Sequence, residues 1–421
     1  MSILIKNILL LDGKKRDIYI EENIIKKIGE GLNLPADKTI DGKNKLAQPS
    51  FINSHTHSAM TLLRGYADDM PLLQWLSTKI WPIEAKMEEE DVYWGAKLAC
   101  LEMIRNGITT FNDMYWHFSG TAKATEEMGM RGIVSAVFID MFNKEKAKEQ
   151  IGLNENLFRE AKRYSNRIAF ALGPHAIYTV SEGSLRWASN FSKENNVFIH
   201  IHLSETEKEV RDCIEKHNLR PVEYLEKIGF LSERVIACHC VWLSEKEIDI
   251  LKEYKVKCVF NPISNMKLCV GKVFPHFNLK EVGIPCLLGT DGASSNNSLN
   301  MFEAMKIGSL LFKFSSNDPT ALKAERAFDM ATINPAIGFN INTGKIEEGM
   351  LADITIIDIE RPEFTPGYNP ISDLVYSANP SCVDTVICDG RILMENKRIN
   401  GESEIIEKAR EVAFNLTKRK L

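Results

Sequence analysis

The stretch Gln48-Pro49-Ser50-Phe51-Ile52-Asn53-Ser54-His55-Thr56-His57 reads as one β-strand, apolar in its middle and polar at its end, where two histidines stand two residues apart. Side chains alternate along a strand, so His55 and His57 point the same way and can present two imidazoles to one ion. Further short apolar runs follow at 109–114, 132–140, 168–175, 197–203, 235–240, 256–261 and 284–291. Amphipathic stretches separate them. In 90–105, Val92, Ala96, Ala99 and Met103 share one helical face, and 245–254 has the same spacing. Regular alternation of strand and helix predicts βα units around a parallel sheet, and eight strands predict a closed barrel. The expected fold class is α/β, a distorted (β/α)8 TIM-like barrel.

The texture differs at both ends. β-Branched runs at 3–11, 17–21 and 24–28, with Asp12-Gly13 as a turn, predict a small antiparallel sheet. The same texture returns at 352–358, 383–388 and 391–395, with Asp389-Gly390 as its turn signal. The two ends are expected to pair into one small β-sandwich domain. That divides the chain into 1–48 as its first part, 49–346 as the barrel, and 347–421 as its second part with a C-terminal helix over 403–418, N-capped by Ser403. The first βα connection, 58–87, is long and rich in Trp, Pro, Met and Leu, as a cover over an active site would be, and it holds Trp75, Trp81 and Glu84. No internal repeat or low-complexity tract is present, and the lysine-rich stretches 144–148 and 418–420 read as solvated charge.

Composition narrows the function. A chain of 421 residues accommodates two or three domains, or one large barrel with an appendage. Apolar residues make up 44% and charged residues 26%, the balance of a soluble globular protein, which excludes disordered and coiled-coil architectures. The net charge of -5 is too mild to attract nucleic acid or a membrane surface at long range. Mean hydropathy is -0.18, no run approaches the roughly 18 apolar residues of a membrane span, and the order of a signal peptide is missing. The nine cysteines contain no CxxC pair and lie mostly in apolar runs, which fits buried thiols in a reducing cytoplasm.

In a barrel of this kind, chemistry collects at the C-terminal ends of the strands. Those ends are polar here: His55 and His57 on the first, His175 on the fourth, His202 then Glu205 on the fifth, His239 on the sixth, Asp291 on the eighth. Three imidazoles and a carboxylate, His55, His57, His202 and Asp291, suit one divalent zinc or ferrous ion with a position left open for water. Each piece alone is weak, since an HxH strand also arises in ordinary cores; the ordered set at one rim is what points to a site. His200 faces the same way as His202 but one layer deeper, and is read as core filling. His117, His217 and His276 are read as bystanders.

At this point the residues resemble a family. Pro49 to His57, His202-Leu203-Ser204-Glu205, His239 and Gly289-Thr290-Asp291-Gly292 resemble the amidohydrolase superfamily, over the whole chain. Trp81-Pro82-Ile83-Glu84, Gly173-Pro174-His175 and 261–268, Asn-Pro-Ile-Ser-Asn-Met-Lys-Leu, resemble its deaminases of 5'-deoxyadenosine, 5'-methylthioadenosine and S-adenosylhomocysteine. The resemblance implies a metal-dependent hydrolase barrel, a β domain built from both ends, and a homo-oligomer, tetramer or dimer. It also implies a nucleoside substrate and hydrolytic deamination to the inosine analogue plus ammonia. The fourth strand lacks the lysine that bridges two metals in binuclear relatives, so one ion is expected, zinc first and ferrous iron second.

Displacing ammonia from a purine needs a nucleophile stronger than neutral water, which a bound divalent ion supplies by lowering the pKa of its water. Asp291 is then expected to take the water's proton, His239 to orient the attacking oxygen, and Glu205 to protonate the ring nitrogen beside the attacked carbon. The competing reading of Glu205 is a helix-capping carboxylate within Ser204-Glu205-Thr206. The resemblance assigns Glu84 to the ribose, and one carboxylate can accept hydrogen bonds from two neighbouring hydroxyls. The substrate-binding set is then Glu84, His175, Glu205 and Asp291, with Trp75, Trp81 and Met87 over the base. The chain departs from relatives suited to S-adenosylhomocysteine, because 140–156 holds no arginine for the amino-acid carboxylate. Met141 and Phe142 point to a small or apolar 5' end, hence 5'-deoxyadenosine, while Lys144, Lys146 and Lys148 are the alternative source of charge. Three other readings compete: an amidohydrolase acting on another heterocyclic amine or a cyclic amide, a barrel without activity serving as a scaffold, and a cytidine-deaminase type, whose HxE and PCxxC signature is missing.

Overall fold

The computed structural model describes every residue except Val282, Lys420 and Leu421, so the last lysine of the 418–420 run lies outside the described residues. The chain opens with β1 (Ser2–Leu9), β2 (Lys15–Glu21), β3 (Ile24–Gly29), β4 (Lys38–Asp41) and β5 (Lys45–Pro49). Then come β6 (Phe51–Thr56), β7 (Ile108–Tyr115), β8 (Arg131–Phe138), β9 (Ile168–Pro174), β10 (Phe198–Leu203), β11 (Val235–His239), β12 (Lys257–Phe260) and β13 (Cys286–Leu288). These eight pair in parallel in chain order and form the nearly closed barrel. Every residue of β7 and β8 is buried, as a parallel strand covered on both faces requires.

Among the described residues no ladder joins β13 to β6; closure is made by the residues between strand and loop. The Asp291 N–H donates to the His55 carbonyl at 2.9 Å, and the Asn53 amide bridges Thr290, donating to its Oγ1 at 2.7 Å and accepting from its N–H at 3.0 Å. Gly289 makes this approach feasible: a Cβ there would sit 2.5 Å from Asn261 Oδ1 and 2.9 Å from His55 Cβ.

The run 48–57 is thus two strands rather than one. Gln48 and Pro49 belong to β5, which lies antiparallel to β14 (Ile354–Asp358), and the barrel strand starts at Phe51. An unbroken apolar pattern cannot show where one sheet hands over to another. The eighth strand is also shorter than its apolar run, because Gly289 to Asp291 leave the ladder to close the barrel.

The chain ends pair as expected. The second sheet runs β16 (Arg391–Met394), β15 (Val383–Cys388), β14, β5, β1, β2, β3, with β4 added parallel to β1, a strand too short and polar to register in the sequence. Ile3, Ile5, Ile18, Ile20, Ile354 and Ile356, drawn from both ends, share one buried cluster, each side chain contributing about 1.5–3 kcal/mol. The β15–β16 turn is Asp389-Gly390, with φ of 51° and 72° as a tight hairpin needs. The last helix begins at Glu402 with Gly401 (φ 74°) at its N-cap, so Ser403 is not the cap: the chain has already turned into the helix one residue earlier. Calling α1 the helix Glu89–Arg105 and α2 the helix Glu402–Lys418, α2 lies on α1, pinned by Arg105–Glu402 and by Arg419 on Asp91 (2.9 Å). No described helix is long and apolar enough to cross a membrane.

Candidate active site

The polar strand ends meet at one rim. Nε2 of His55 and Nε2 of His57 each lie 3.3 Å from Asp291 Oδ1, and His202 Nε2 lies 3.2 Å from His57 Nε2. The opposite ring nitrogens are spoken for. His57 Nδ1–H donates to the Met114 carbonyl at 2.6 Å and His202 Nδ1–H to the His175 carbonyl at 2.9 Å, which leaves their Nε2 lone pairs bare and facing inward. His55 Nε2 is buried and forms no hydrogen bond within the protein. Three lone pairs and a carboxylate oxygen aimed at one point repel one another unless a cation lies between them, so these four residues fit a divalent ion. The electrostatics agree. Where no ion lies between the groups, burial opposes a charge on His57, yet the bond to Asp291 and its negative charge hold that imidazole up at about 9, a proton on Nε2 standing where an ion would, while the same pairing overcomes burial and holds Asp291 well below the carboxylate range. The pocket asks for positive charge there.

Asp291 is held on both oxygens, Oδ2 accepting from Ser264 Oγ at 2.6 Å and Oδ1 from the Gly292 N–H at 2.8 Å. His239 stands beside the cluster, its ligand-competent atoms within reach of those of His55 and His202. Its Nδ1 takes an N–H from the Asn265 amide at 2.9 Å, so its proton sits on Nε2; burial keeps the ring neutral, down to about 3. Ser204, His239 and Asp291 all adopt left-handed backbone (φ 50°, 73° and 64°), the strain that accumulates where strands deliver working groups.

Glu205 is 6% exposed and lines the same pocket, 3.6 Å from His239. It is not a helix cap, since the helix Glu207–His217 is capped by Thr206, whose Oγ1 accepts the Glu209 N–H. Instead the Glu209 carboxylate takes the N–H groups of Ser204 and Glu205, both at 2.8 Å, and fixes the turn that aims Glu205. Burial, with the charges of Asp291 and Glu209 adding, pushes Glu205 well above the carboxylate range and so favours its acid form. Burial also raises Glu84, which accepts the Trp116 indole N–H at 3.2 Å. His175, held down to about 3 by burial, bonds Thr179 Oγ1 at 2.9 Å and lies against His202.

His57, Glu84, His175, His202, Glu205, His239 and Asp291 line one pocket together with Leu72, Trp75, Leu76 and Trp81 of the 58–87 connection. A second hollow adjoins it across Trp81, Glu84 and Trp116, bounded further out by Met87, Ile139 and Met141; none of its lining residues is a lysine or arginine. Lys144 and Lys146 stand exposed on a helix, and a different lysine, Lys216, lies 3.8 Å over the exposed Phe142 ring. His55, His57, Glu84, His175, His202, Glu205, His239 and Asp291 therefore converge. His117 caps a helix and bonds the Met87 carbonyl, and His217 stacks on Tyr224, both away from the cluster. Reasoning from sequence missed Trp116 and Glu209. Ser264 and Asn265 lay within a motif already noticed, without a role.

An α/β barrel that gathers three imidazoles and a carboxylate at the C-terminal rim of its strands is the architecture of metal-dependent hydrolases. Residues 46–393 match the amidohydrolase family, and the chain belongs to it. It is 47% identical to the 5-methylthioadenosine/S-adenosylhomocysteine deaminase 1 of Archaeoglobus fulgidus, covering 99% of each chain. It is likewise 47% identical to the 5'-deoxyadenosine deaminase of Methanocaldococcus jannaschii, over 97% of this chain and 98% of that one. The crystal structure of an adenosine deaminase from Xanthomonas campestris with bound zinc superposes with a TM-score of 0.92 at 29% identity, over 99% of this chain and 98% of that one.

Proposed function

We propose that this chain is a hydrolytic deaminase of 5'-deoxy and 5'-substituted adenosines, with 5'-deoxyadenosine preferred and 5'-methylthioadenosine, S-adenosylhomocysteine and adenosine also accepted. The observation that carries the reading is the buried Glu84 side chain facing the same pocket as the histidine cluster and Glu205. Few substrates need a carboxylate beside an aminohydrolase centre; a ribose with two neighbouring hydroxyls does.

His55, His57, His202 and Asp291 would hold a divalent ion, zinc by preference, which would supply a water acidic enough to attack at neutral pH. The protein does the rest. Glu84 accepts the ribose hydroxyls and so sets the base with its amino-bearing carbon over the cluster. Glu205 gives its proton to the neighbouring ring nitrogen as water adds, which neutralises charge building in the ring. Asp291 receives one proton of the water and passes it to the departing amino group; the C–N bond breaks, ammonia leaves, and the remaining hydroxyl proton returns to Glu205 as the carbonyl forms, which restores the acid. His239, with Nδ1 occupied by Asn265, turns its Nε2–H to the attacking oxygen. His175 stays neutral beside the sugar or base. The cationless hollow beyond Glu84 favours small or apolar 5' groups.

The barrel, 49–346, is assigned the chemistry, and 1–48 with 347–421 a composite β domain; the working form is a cytoplasmic homo-oligomer, dimer or tetramer, that recycles by-products of S-adenosylmethionine. The deciding experiment follows ammonia release by metal-replete protein from 5'-deoxyadenosine, 5'-methylthioadenosine, S-adenosylhomocysteine, adenosine and guanine. Fastest turnover of 5'-deoxyadenosine is expected. Silence on every nucleoside rejects the reading.

A further inference from the structure

Of the imidazoles read as ion ligands, two are oriented by main chain: His57 by the Met114 carbonyl and His202 by the His175 carbonyl. His55 is oriented by a side chain. Its Nδ1 lies 2.7 Å from Nε2 of His200, which is 0% exposed and sits on β10 two residues before His202. Because His55 turns Nε2 toward Asp291, its proton is on Nδ1, and His200 Nε2 accepts it. The Cys238 thiol lies 3.1 Å from the same nitrogen. Accepting that proton leaves His200 neutral, with its own proton on Nδ1.

Core filling does not explain this arrangement. A leucine or phenylalanine would fill the space without desolvating an imidazole, but would leave the His55 N–H buried without an acceptor. We propose that His200 is a positioning residue for the ion site: by accepting the His55 Nδ1–H it fixes the tautomer and ring plane that present Nε2, and so sets how tightly the site holds its ion. It is the one orienting contact of the three that a substitution can remove. The inference rests on His55, His57, His202 and Asp291 being the donor set.

The test is cobalt(II) and zinc(II) binding to wild type, His55→Ala, His200→Phe, His200→Asn and His200→Gln, each stripped and shown to be folded by circular dichroism. Glutamine places an acceptor where His200 Nε2 stands; asparagine is equally polar but falls one carbon short. His200→Phe and His200→Asn are expected to bind either ion roughly 10–100-fold more weakly and to alter the visible cobalt bands. His200→Gln is expected to restore both. Phenylalanine equal to wild type, or glutamine as weak as asparagine, overturns the proposal while leaving the donor set standing. If His200→Phe does not fold, the asparagine–glutamine contrast decides alone. Wild type that takes up no cobalt, or that binds no better than His55→Ala, overturns the donor set and this inference with it.

Discussion

Replacing Glu84 by glutamine keeps an acceptor for the Trp116 indole and the side chain's volume, and removes the charge offered to the substrate. Its magnitude can be worked out. Glu84 is 8% exposed, so hydrogen bonds from two ribose hydroxyls to its carboxylate would form largely out of water. Bonds to a charged acceptor contribute about 1.5–3 kcal/mol each, and a neutral amide retains part of that, so a net loss of about 2–4 kcal/mol is expected. At 1.4 kcal/mol per factor of ten, kcat/KM for 5'-deoxyadenosine should fall roughly 30- to 1,000-fold. The assay that isolates the contact is a cycle over two substrates, 5'-deoxyadenosine and its 2',3'-dideoxy counterpart, with wild type and Glu84→Gln. The substitution should matter for the first and hardly at all for the second. Equal losses on both would show that Glu84 acts on the fold of the cover rather than on the sugar, and would refute the clamp.

Glu205→Gln should bind ion and substrate normally and lose about 10²–10⁴-fold in kcat, as removal of a general acid does. Because burial raises the Glu205 pKa, the acid form is present below that raised value and lost as pH climbs through it; the alkaline limb of kcat/KM should therefore belong to Glu205 and vanish in the glutamine variant. Asn265→Leu takes away the shorter of the two amide contacts on His239 Nδ1, 2.9 Å against 3.5 Å from Asn261, and should lower kcat by roughly tenfold with little change in KM, the cost of loosening one oriented donor; unchanged kcat would show that Asn265 does not position His239. Met141→Arg places a cation beside the apolar hollow and should improve S-adenosylhomocysteine relative to 5'-deoxyadenosine by roughly two- to fivefold, the value of one exposed ion pair. A ratio that does not move would show that the 5' group leaves by another route.

The barrel was legible because each strand changes character where it reaches the rim: Phe51-Ile52 gives way to His55 and His57, Val197-Phe198-Ile199 to His202 and Glu205, Leu287-Leu288 to Asp291. A residue that contradicts its own strand's pattern can be found one strand at a time. Partners cannot, since they are defined by which strands become neighbours. Trp116 follows the second strand as one more aromatic residue, and only the folded cover brings Glu84 to its indole N–H. Glu209 looks like an ordinary first-turn glutamate of an amphipathic helix, yet it turns inward and ties the Ser204-Glu205 peptide units. His200 shows the same limit: its depth on β10 was readable, but its contact with His55, 145 residues earlier and across the barrel, was not.

The same residues explain why the site and the fold cannot be separated at this rim. Asp291 closes the barrel through its backbone N–H to the His55 carbonyl and joins the cluster through its carboxylate; Gly289, two residues before, is the residue whose missing Cβ lets the strands approach. Closure therefore brings Asp291 Oδ1 and His55 Nε2 to 3.3 Å as a geometric consequence of pairing the first and last strands, not as a later adjustment of side chains. Where the ladder ends early at Leu288, the hydrogen bonds it gives up are replaced by Asn53 on Thr290 and by Asp291 on His55. The incomplete eighth strand is the means by which a barrel with regular strands elsewhere delivers one carboxylate in left-handed backbone to the centre of its rim.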